Sequence, residues 1–388
     1  MFVKHLTLSH FRNHKNTEIE FQPGVNLLVG PNGQGKTNVV EAIEYISTLS
    51  SHRVAGYQPL IHKDATGAII RLKVSHETRD VIVDLELNRD NPNQLRINQS
   101  PIPRMRDVLG TVYSVVFAPE DIDIVKRDPS NRRSFIDQLL IQFTPRMAGV
   151  ISDYERVLKQ RNTLLKSARA TGAKGSSLST LDAWDESLIK FGSEIVQARL
   201  TLLDRIKPHL TEAYQAIAIA NNEPNVLMKS SLLGSAVVDD FEEAELEYLT
   251  SAELNKVPDL YRAKLATVRV KELERGITLI GPHRDDLVLL LGDLPAKGYA
   301  SHGESWSYAL ALRLASAKLL REESKTGDPV VILDDVFAEL DAGRRDRLAS
   351  MVADNEQVII TAAVAEDVPK SLKATVFTVA EGVVTSVG

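Results

Sequence analysis

A glycine-rich segment constrains this chain more than any other part of it. Residues 25–38 read VNLLVGPNGQGKTN, which combines a short apolar strand, a loop and the first turn of a helix. Gly30, Gly35, Lys36 and Thr37 have the phosphate-loop spacing, in which glycines let backbone N–H groups wrap a polyphosphate. The lysine would reach the β- and γ-phosphates, and the threonine hydroxyl would lie on Mg²⁺. The residues that this segment predicts to bind nucleotide are Asn32, Gly33, Gly35, Lys36, Thr37 and Asn38.

The composition limits what else the chain can be. Its 388 residues suffice for two domains, or for one large domain with an insertion. A net charge of −6 argues against a protein that is basic all over and merely coats nucleic acid. Cysteine is absent, which excludes disulfides, thiol catalysis and cysteine-based zinc sites. The first residues lack the apolar core of a signal peptide, and no apolar run approaches a membrane span of about 20 residues, so we expect a cytoplasmic protein.

Strand patterns occupy both ends of the chain, and helical patterns occupy its middle. The predicted strands are residues 2–8, 19–21, 68–74, 81–87, 94–98, 112–117, 277–280, 287–291, 330–333, 358–361, 376–379 and 383–387. Those between 68 and 98 indicate an antiparallel meander, whereas the apolar run 330–333 is typical of a central parallel strand. From about residue 128, helical spacing and a heptad-like stripe over residues 181–210 predict a short helical hairpin.

Two acids follow the predicted central strand directly. Asp334 and Asp335 would lie at its carboxyl end, where open α/β sheets place ligand chemistry. One carboxylate can hold the water shell of Mg²⁺ opposite Thr37, and the next can orient the attacking water. We therefore predict Thr37 and Asp334 as metal-binding residues and Asp335 as a catalytic residue.

A small, polar segment before a predicted helix offers a second site for an anion. Residues 300–305 read ASHGES, which supplies a serine hydroxyl, free backbone amides and a helix dipole. One subunit already has its phosphate loop for this purpose. The second cap therefore suggests a dimer in which each subunit closes on its partner's ATP.

In these motifs the chain resembles the ABC-type ATPase family and, within it, the RecF-like recombination and repair proteins. The similar segments are FRNH, GPNGQGKTN, FAPED, DPSNRRSFID, GPHRDDL, SHGES and ILDDVFAELD. They extend over nearly the whole chain. GPHRDDL and DDVFAELD are more specific to this family than the generic ATPase pattern is. The resemblance implies an α/β ATPase head with a central, largely parallel sheet, an antiparallel meander and an inserted helical lobe. The two parts of the head would be residues 1–125 and 265–388, with the helical lobe at 126–264.

The same resemblance implies roles for several residues. Ser301, Gly303 and Glu304 are similar to the ABC signature, which contacts the γ-phosphate across a dimer. Asp341 resembles the aspartate of the D-loop at that interface, and Arg12 resembles an N-terminal arginine that approaches the nucleotide in SMC-like ATPases.

The chain also departs from the general ABC pattern. Asp335 stands where many members have a catalytic glutamate, and no histidine follows the predicted strand 358–361. Glu120, a second catalytic candidate, lies near the position of the Q-loop, where the usual glutamine is absent. Because aspartate reaches one methylene less far than glutamate, we expect slow ATP hydrolysis, suited to a timed clamp.

The resemblance implies an ATP-dependent DNA-binding repair protein. ATP and Mg²⁺ would join two subunits around duplex DNA near a single-strand gap, and hydrolysis would release the dimer. The protein would help to load the RecA recombinase together with RecR and RecO. Candidate DNA contacts are Lys126, Arg127, Arg132 and Arg133. The basic run at 155–175 offers a further DNA surface, and the acidic run at 238–253 a surface for a protein partner.

Three other classes of protein remain open. A nucleotide-binding subunit of a membrane transporter is disfavoured by the long separation between Lys36 and Asp334 and by the helical lobe. A structural, SMC-like tether would need longer heptad arms than this chain has. An inactive nucleotide-sensing scaffold is motivated by Asp335 in place of glutamate.

Overall fold

The computed structural model describes residues 1–76, 79–172, 179–218, 222–233, 248–324 and 327–387. The chain divides into two units. The first unit consists of Met1–Ile122, His209–Asn221 and Ser301–Gly388, and the second consists of Asp123–Pro208 and Asn222–Ala300. Residues 238–247 of the acidic run and Lys174 of the basic run lie outside the described residues.

The regular elements in chain order are β1 (Phe2–Phe11), β2 (His14–Glu20), β3 (Gly24–Val29), α1 (Lys36–Thr48), β4 (Gly67–His76), β5 (Arg79–Asn88), β6 (Gln94–Ile97), β7 (Ser100–Ile102), β8 (Ser114–Phe117), α2 (Ile122–Lys126), α3 (Pro129–Phe143), α4 (Met147–Thr171), α5 (Ser179–Ala218), β9 (Pro224–Lys229), β10 (Tyr248–Leu249), α6 (Val257–Arg275), β11 (Asp286–Leu291), β12 (Leu294–Pro295), α7 (Ala296–Tyr299), α8 (His302–Glu323), β13 (Val330–Asp334), α9 (Ala342–Val352), β14 (Gln357–Ala362), β15 (Ala374–Ala380) and β16 (Val383–Val387).

The strand before the phosphate loop lies in a six-stranded sheet of the first unit, with the order β16-β15-β3-β14-β13-β8. Every neighbouring pair is parallel except β15 and β16, which form a hairpin. β13 and β14 are buried along their whole length, as expected of central parallel strands. Both β3 and β13 pair with β14, so their carboxyl ends, at Val29 and Asp334, lie at the same edge. The predicted α/β fold with a central, largely parallel sheet is confirmed.

The second sheet of the first unit is antiparallel, with the order β2-β1-β4-β5-β6-β7. The predicted strands 2–8 and 19–21 and the predicted meander belong to this one sheet, because β1 pairs with β2 on one side and with β4 on the other. β1 also continues beyond its predicted end at residue 8, as far as Phe11. Phe11 pairs with His14 of β2, and its side chain is fully buried. The chain reverses at Arg12 and Asn13, and Arg12 has a left-handed φ of 53°.

The second unit combines α3, α4, α6 and the part of α5 up to Pro208 with a four-stranded sheet in the order β10-β9-β11-β12. β11 pairs with β9 along its whole length, which places residues 265–300 in this unit rather than with the second half of the ATPase head. The strand predicted at 277–280 is wrong. These residues are an irregular segment that leads into the turn of residues 281–284, where Gly281 has a φ of 122° that suits a turn and not a strand.

The long helix α5 carries the predicted heptad-like stripe. It has 40 residues, and the stripe residues Leu188, Ile195 and Ile206 are buried. The helix continues to Ala218, past the predicted end of the stripe. Among the described helices, α5 included, none is both long enough and apolar enough to cross a membrane.

A buried arginine connects the helices of the second unit. Arg161 on α4 is fully buried, and its guanidinium donates to Asp185 at 2.7 Å, to Glu272 at 2.6 Å and to the Thr278 hydroxyl at 2.8 Å. Burial raises the pKa of Glu272 despite the neighbouring Arg161 charge. Removing the arginine would therefore leave the buried Glu272 carboxylate without its counter-charge, whereas Asp185 would keep its ion pair with Arg269.

Candidate nucleotide-binding site

The phosphate loop joins β3 to α1, and neighbouring backbone and side chains approach two of its glycines closely. A Cβ at Gly30 would overlap the carbonyl oxygen of Val379 on β15. Gly35 has φ 114°, and a Cβ there would come within 2.8 Å of Nε2 of His14. These contacts, together with the left-handed conformation of Gly35, require glycine at both positions. Asn32 and Gly33 lie exposed at the tip of the loop.

Lys36 begins α1, and its side chain lies against the loop. It is 3% exposed, and Nζ donates to the carbonyl oxygens of Gly30 at 2.7 Å and Pro31 at 3.2 Å. The ammonium group therefore lies at the N-terminal end of the helix, where the helix dipole also favours an anion. A loop with these features can bind a polyphosphate.

The turn between β1 and β2 braces the phosphate loop. Asn13 donates to the carbonyl oxygen of Gln34 at 2.9 Å and accepts from Nδ2 of Asn38 at 2.7 Å. Buried His14 bonds through Nε2 to the carbonyl oxygen of Gly35 at 3.0 Å. This function of the FRNH segment was not apparent from the sequence, because its partners are distant along the chain.

Arg12 lies in the same turn, but its guanidinium is engaged by α1. Nε and Nη2 donate to the two carboxylate oxygens of Glu41 at 2.8 and 2.6 Å. Nη1 donates to the carbonyl oxygen of Pro59 at 3.1 Å. The bidentate pair fixes Arg12 to the helix that follows the loop.

Asp334 meets the phosphate-loop helix at the carboxyl edge of the sheet. Its Oδ1 accepts from the hydroxyls of Thr37 at 3.0 Å and Thr361 at 2.6 Å. Burial raises the pKa of Asp334 to about 6; the charge of Asp335 adds to the effect, whereas the hydroxyls and His52 oppose it. A carboxylate that burial penalises in this way favours a bound cation.

The donors at this edge fit Mg²⁺. Thr37 and Asp334 supply one hydroxyl and one carboxylate, which are hard oxygen ligands. In the part of the chain that the structure describes, no group of three or more His, Asp or Glu side chains could enclose a metal ion. A hydroxyl and a carboxylate at one edge suit Mg²⁺, which retains waters and binds phosphate oxygens.

Asp335 follows with an unusual backbone conformation. Its φ is 52°, a left-handed value that costs a non-glycine residue about 1–2 kcal/mol. Its amide donates to the Thr361 hydroxyl at 2.9 Å and to the Thr361 carbonyl at 3.3 Å. These bonds offset the backbone strain and set the direction in which the half-buried Asp335 side chain leaves the strand end.

His52 was not predicted, although it lies beside these carboxylates. Its Nδ1 bonds to Glu44 of α1 at 2.6 Å, and its Nε2 lies 4.0 Å from Oδ2 of Asp334. Burial alone would lower the pKa of His52, but the Glu44 hydrogen bond and the charges of Glu44, Asp334 and Glu120 raise it to about 9. Glu120 itself is exposed. The only signal in the sequence was the polar SSHR segment after α1.

The predicted signature residues lie at the start of α8. Ser301 caps the helix: its hydroxyl accepts from the amide of Glu304 at 3.2 Å, and its amide donates to the Glu304 carboxylate at 2.9 Å. Asp341 caps α9 and accepts from the Arg344 guanidinium at 2.8 Å. A Cβ at Gly303 would meet this guanidinium at 2.8 Å. Arg344 thus links the two caps of the first unit.

The candidate DNA contacts fall into two kinds. Lys126 and Arg127 are exposed, and Arg127 pairs with Asp123 one helical turn away. Arg132 is 4% exposed and makes a bidentate ion pair with Asp286, so it supports the second unit and is unavailable to a DNA phosphate. Arg133 donates to the carbonyl oxygen of Asp285, and burial lowers its pKa.

Comparison with known proteins agrees with these features. The model of the RecF/RecN/SMC N-terminal domain matches residues 2–385. The DNA replication and repair protein RecF of Leifsonia xyli is 52% identical over 374 residues, which cover 96% of each chain. RecF of Streptomyces avermitilis is 52% identical over 387 residues, covering 99% of each.

A solved structure gives the same result. The recombination mediator protein RecF in the RecFOR pathway, in its RecF-ATPrS form, superimposes with a TM-score of 0.86 at 28% identity. The match covers 100% of this chain and 98% of that one. Its full-length coverage includes both units and the phosphate loop. By its sequence and its fold, the chain belongs to the RecF family of ABC/SMC-type ATP-binding proteins.

Proposed function

We propose that this protein is an ATP-dependent, DNA-binding recombination and repair ATPase of the RecF type that acts in the cytoplasm. The observation that carries the proposal is the Thr37–Asp334 hydrogen bond of 3.0 Å, which joins the phosphate loop to the carboxylate at the end of β13. A phosphate-binding loop and a metal-binding carboxylate in contact are what hydrolysis of a nucleoside triphosphate requires. The names of the related proteins supply the DNA repair context.

In the proposed reaction, Lys36 and the loop amides bind the β- and γ-phosphates. Mg²⁺, held by Thr37 and through water by Asp334, would neutralise charge on the phosphates. Asp335 orients the attacking water, and Glu120 is the second candidate for this role. Because Asp335 is short and its backbone is strained, hydrolysis is slow and serves as a release step.

ATP would also join two copies of the chain. Ser301 and Gly303 at the start of α8 would contact the γ-phosphate bound to the other subunit, while Glu304 and Asp341 hold the caps in shape. Support comes from the mutual capping bonds of Ser301 and Glu304, which define the start of α8. The first backbone amides of a helix point out of its N-terminal end, where they can bind an anion such as the γ-phosphate.

The dimer would bind duplex and gapped DNA and promote RecA loading with RecR and RecO. We propose Lys126, Arg127 and Arg133 as DNA contacts and omit Arg132, which is buried in its ion pair. Contacts to phosphates would make binding strongly salt-dependent. In this scheme the first unit forms the ATPase head, and the second unit supplies the DNA surface.

Sedimentation velocity with and without ATP and duplex DNA tests the proposal. We expect a monomer that dimerises only with ATP, and ATP-dependent DNA binding that is lost in Lys36→Ala. Lys373→Ala is the matched control and should behave as wild type. Lys373 is exposed and directly precedes β15, whose first residue pairs with Val25 near the amino end of β3, the end opposite the phosphate loop. The proposal fails if duplex DNA affinity is unchanged by ATP and by Lys36→Ala.

A nucleotide-sensing scaffold with little hydrolysis is the second candidate. It is favoured by aspartate at position 335 in a strained conformation. Turnover of ATP with and without DNA, compared between wild type and Asp335→Asn, separates the two functions. Low rates of ATP turnover that are equal in wild type and Asp335→Asn would support the scaffold. A DNA-stimulated rate that Asp335→Asn removes would support the ATPase.

A further inference from the structure

Thr361 occupies a central place in the sheet. It belongs to β14, which lies between β3 and β13, and it is paired in register with Asp334 of β13 and Leu28 of β3. The side chain is 1% exposed. A buried threonine hydroxyl needs hydrogen-bond partners, and the partners of this one belong to the catalytic edge.

The hydroxyl makes two bonds of defined direction. It donates to Oδ1 of Asp334 at 2.6 Å and accepts from the amide of Asp335 at 2.9 Å. An ionised carboxylate can only accept and a backbone amide can only donate, so the direction of both bonds is fixed. One side chain thereby connects the metal-binding carboxylate with the backbone of the water-orienting residue.

Each bond constrains a different part of the site. Oδ1 of Asp334 also accepts from Thr37 at 3.0 Å, so two hydroxyls hold this oxygen and leave Oδ2 for a water of the metal. At Asp335 the amide bond supports the left-handed backbone, with φ 52° and ψ 16°. Loss of the hydroxyl would leave Oδ1 of Asp334 with only the Thr37 bond, and the Asp335 amide with only its longer bond to the Thr361 carbonyl. The phosphate loop itself would keep its contacts.

We propose that Thr361 is a positioning residue for ATP hydrolysis, and that its hydroxyl sets the metal-binding and water-orienting carboxylates relative to each other. This inference rests on the proposed ATPase function. Residues that orient the ligands of a metal site typically contribute about 10–100-fold to metal affinity or to activity. Thr361 acts through Asp334 and Asp335 and touches no nucleotide.

The test compares hydroxyl-free and hydroxyl-bearing variants. Thr361→Val keeps the shape and removes the hydroxyl, Thr361→Ala is a second hydroxyl-free variant, and Thr361→Ser keeps the hydroxyl. We expect kcat for ATP to fall about 10–100-fold in the Val and Ala variants, with KM within about threefold of wild type. In the Ser variant, kcat should return to within about threefold of the wild-type value. Thr378→Val, at an exposed position on β15, is the control for the substitution itself.

A second readout does not depend on turnover. Mn²⁺ substitutes for Mg²⁺, and its binding to the protein–ADP complex can be followed by electron paramagnetic resonance. We expect Mn²⁺ affinity to weaken about tenfold in the hydroxyl-free variants and to return in Thr361→Ser. ADP affinity measured without metal should stay at the wild-type level in all of them.

The outcomes separate this inference from the proposed function. If wild type has no turnover that Lys36→Ala removes, the ATPase proposal fails and the role of Thr361 fails with it. If Lys36-dependent turnover is present, equal rates in wild type and Thr361→Val refute the positioning role alone. Equal losses in the Val and Ser variants would also refute it, because packing and not the hydroxyl would then be responsible.

Discussion

Replacing Asp334 with asparagine should stabilise the protein when no metal is present. Asp334 is 3% exposed, and burial raises its pKa from 3.8 to about 6. With about 1.4 kcal/mol for each pKa unit, ionised Asp334 costs about 3 kcal/mol of folding free energy at neutral pH. Asparagine is uncharged, and its carbonyl oxygen can accept the same two hydroxyl hydrogens. The residue that we propose for metal binding is thus a source of instability.

The pH dependence of this effect has a definite sign. Because the folded pKa is above the unfolded value, the cost is absent below about pH 4, grows between about pH 4 and 6, and is constant above that. The substitution would also remove a charge that helps to hold His52 protonated, which offsets part of the gain. We expect the Asp334→Asn variant to be more stable by about 1–3 kcal/mol at pH 7.5 and equal to wild type at pH 4.

Urea unfolding in EDTA without nucleotide, followed by circular dichroism at pH 7.5, 6 and 4, measures this difference. Adding Mg²⁺ to the ATP-bound proteins should then stabilise wild type more than the variant, because only wild type keeps the carboxylate proposed to bind the metal. A variant less stable than wild type at pH 7.5 would refute the reasoning. So would an advantage that is the same at all three pH values.

Three further substitutions test other parts of the structure. Gly30→Ala should weaken binding of a fluorescent ATP analogue and destabilise the protein by about 1–3 kcal/mol, since the added Cβ overlaps Val379; unchanged affinity would contradict the loop geometry. Arg161→Met should cost about 3–5 kcal/mol in urea unfolding because it leaves buried Glu272 without its partner, and a loss below about 1 kcal/mol would contradict this. His52→Gln in metal-free protein should remove a contribution of at most about 3 kcal/mol. Because the folded pKa is raised to about 9, this contribution is complete below pH 6.5 and lost as the pH rises through about 9, and a gap between wild type and variant that is constant from pH 6 to 10 would count against it.

Local patterns were sufficient to predict the carboxyl edge of the central sheet. An apolar run followed at once by Asp334 and Asp335 indicates a buried strand with acids at its carboxyl end. The apolar run before the phosphate loop likewise indicates a strand that ends at the ligand-binding edge. The contact between Thr37 and Asp334 follows from parallel pairing with β14 between the two strands. This contact depends on residues that are adjacent to recognisable strands, which explains why it could be anticipated.

Features that depend on distant partners could not be predicted. The sequence pattern places Thr361 at the end of a predicted strand, but its bonds to Asp334 and Asp335 depend on strand register. His52 depends on Glu44, eight residues earlier, across the end of α1. Arg132 was grouped with exposed basic residues, because a sequence does not reveal that Asp286 pairs with it and buries it.

The brace around the phosphate loop has a consequence for the synthesis of this protein. Gln34 of the loop accepts from the amide of Gly382 at 3.0 Å, and β3 pairs on both sides with strands that begin after residue 350. A nascent chain that has exposed residues 1–200 at the ribosome therefore has a phosphate-loop sequence without the structure that shapes it. ATP binding and any joining of two copies must await synthesis of β14 and β15, so chains that still lack these strands cannot engage other copies through this site.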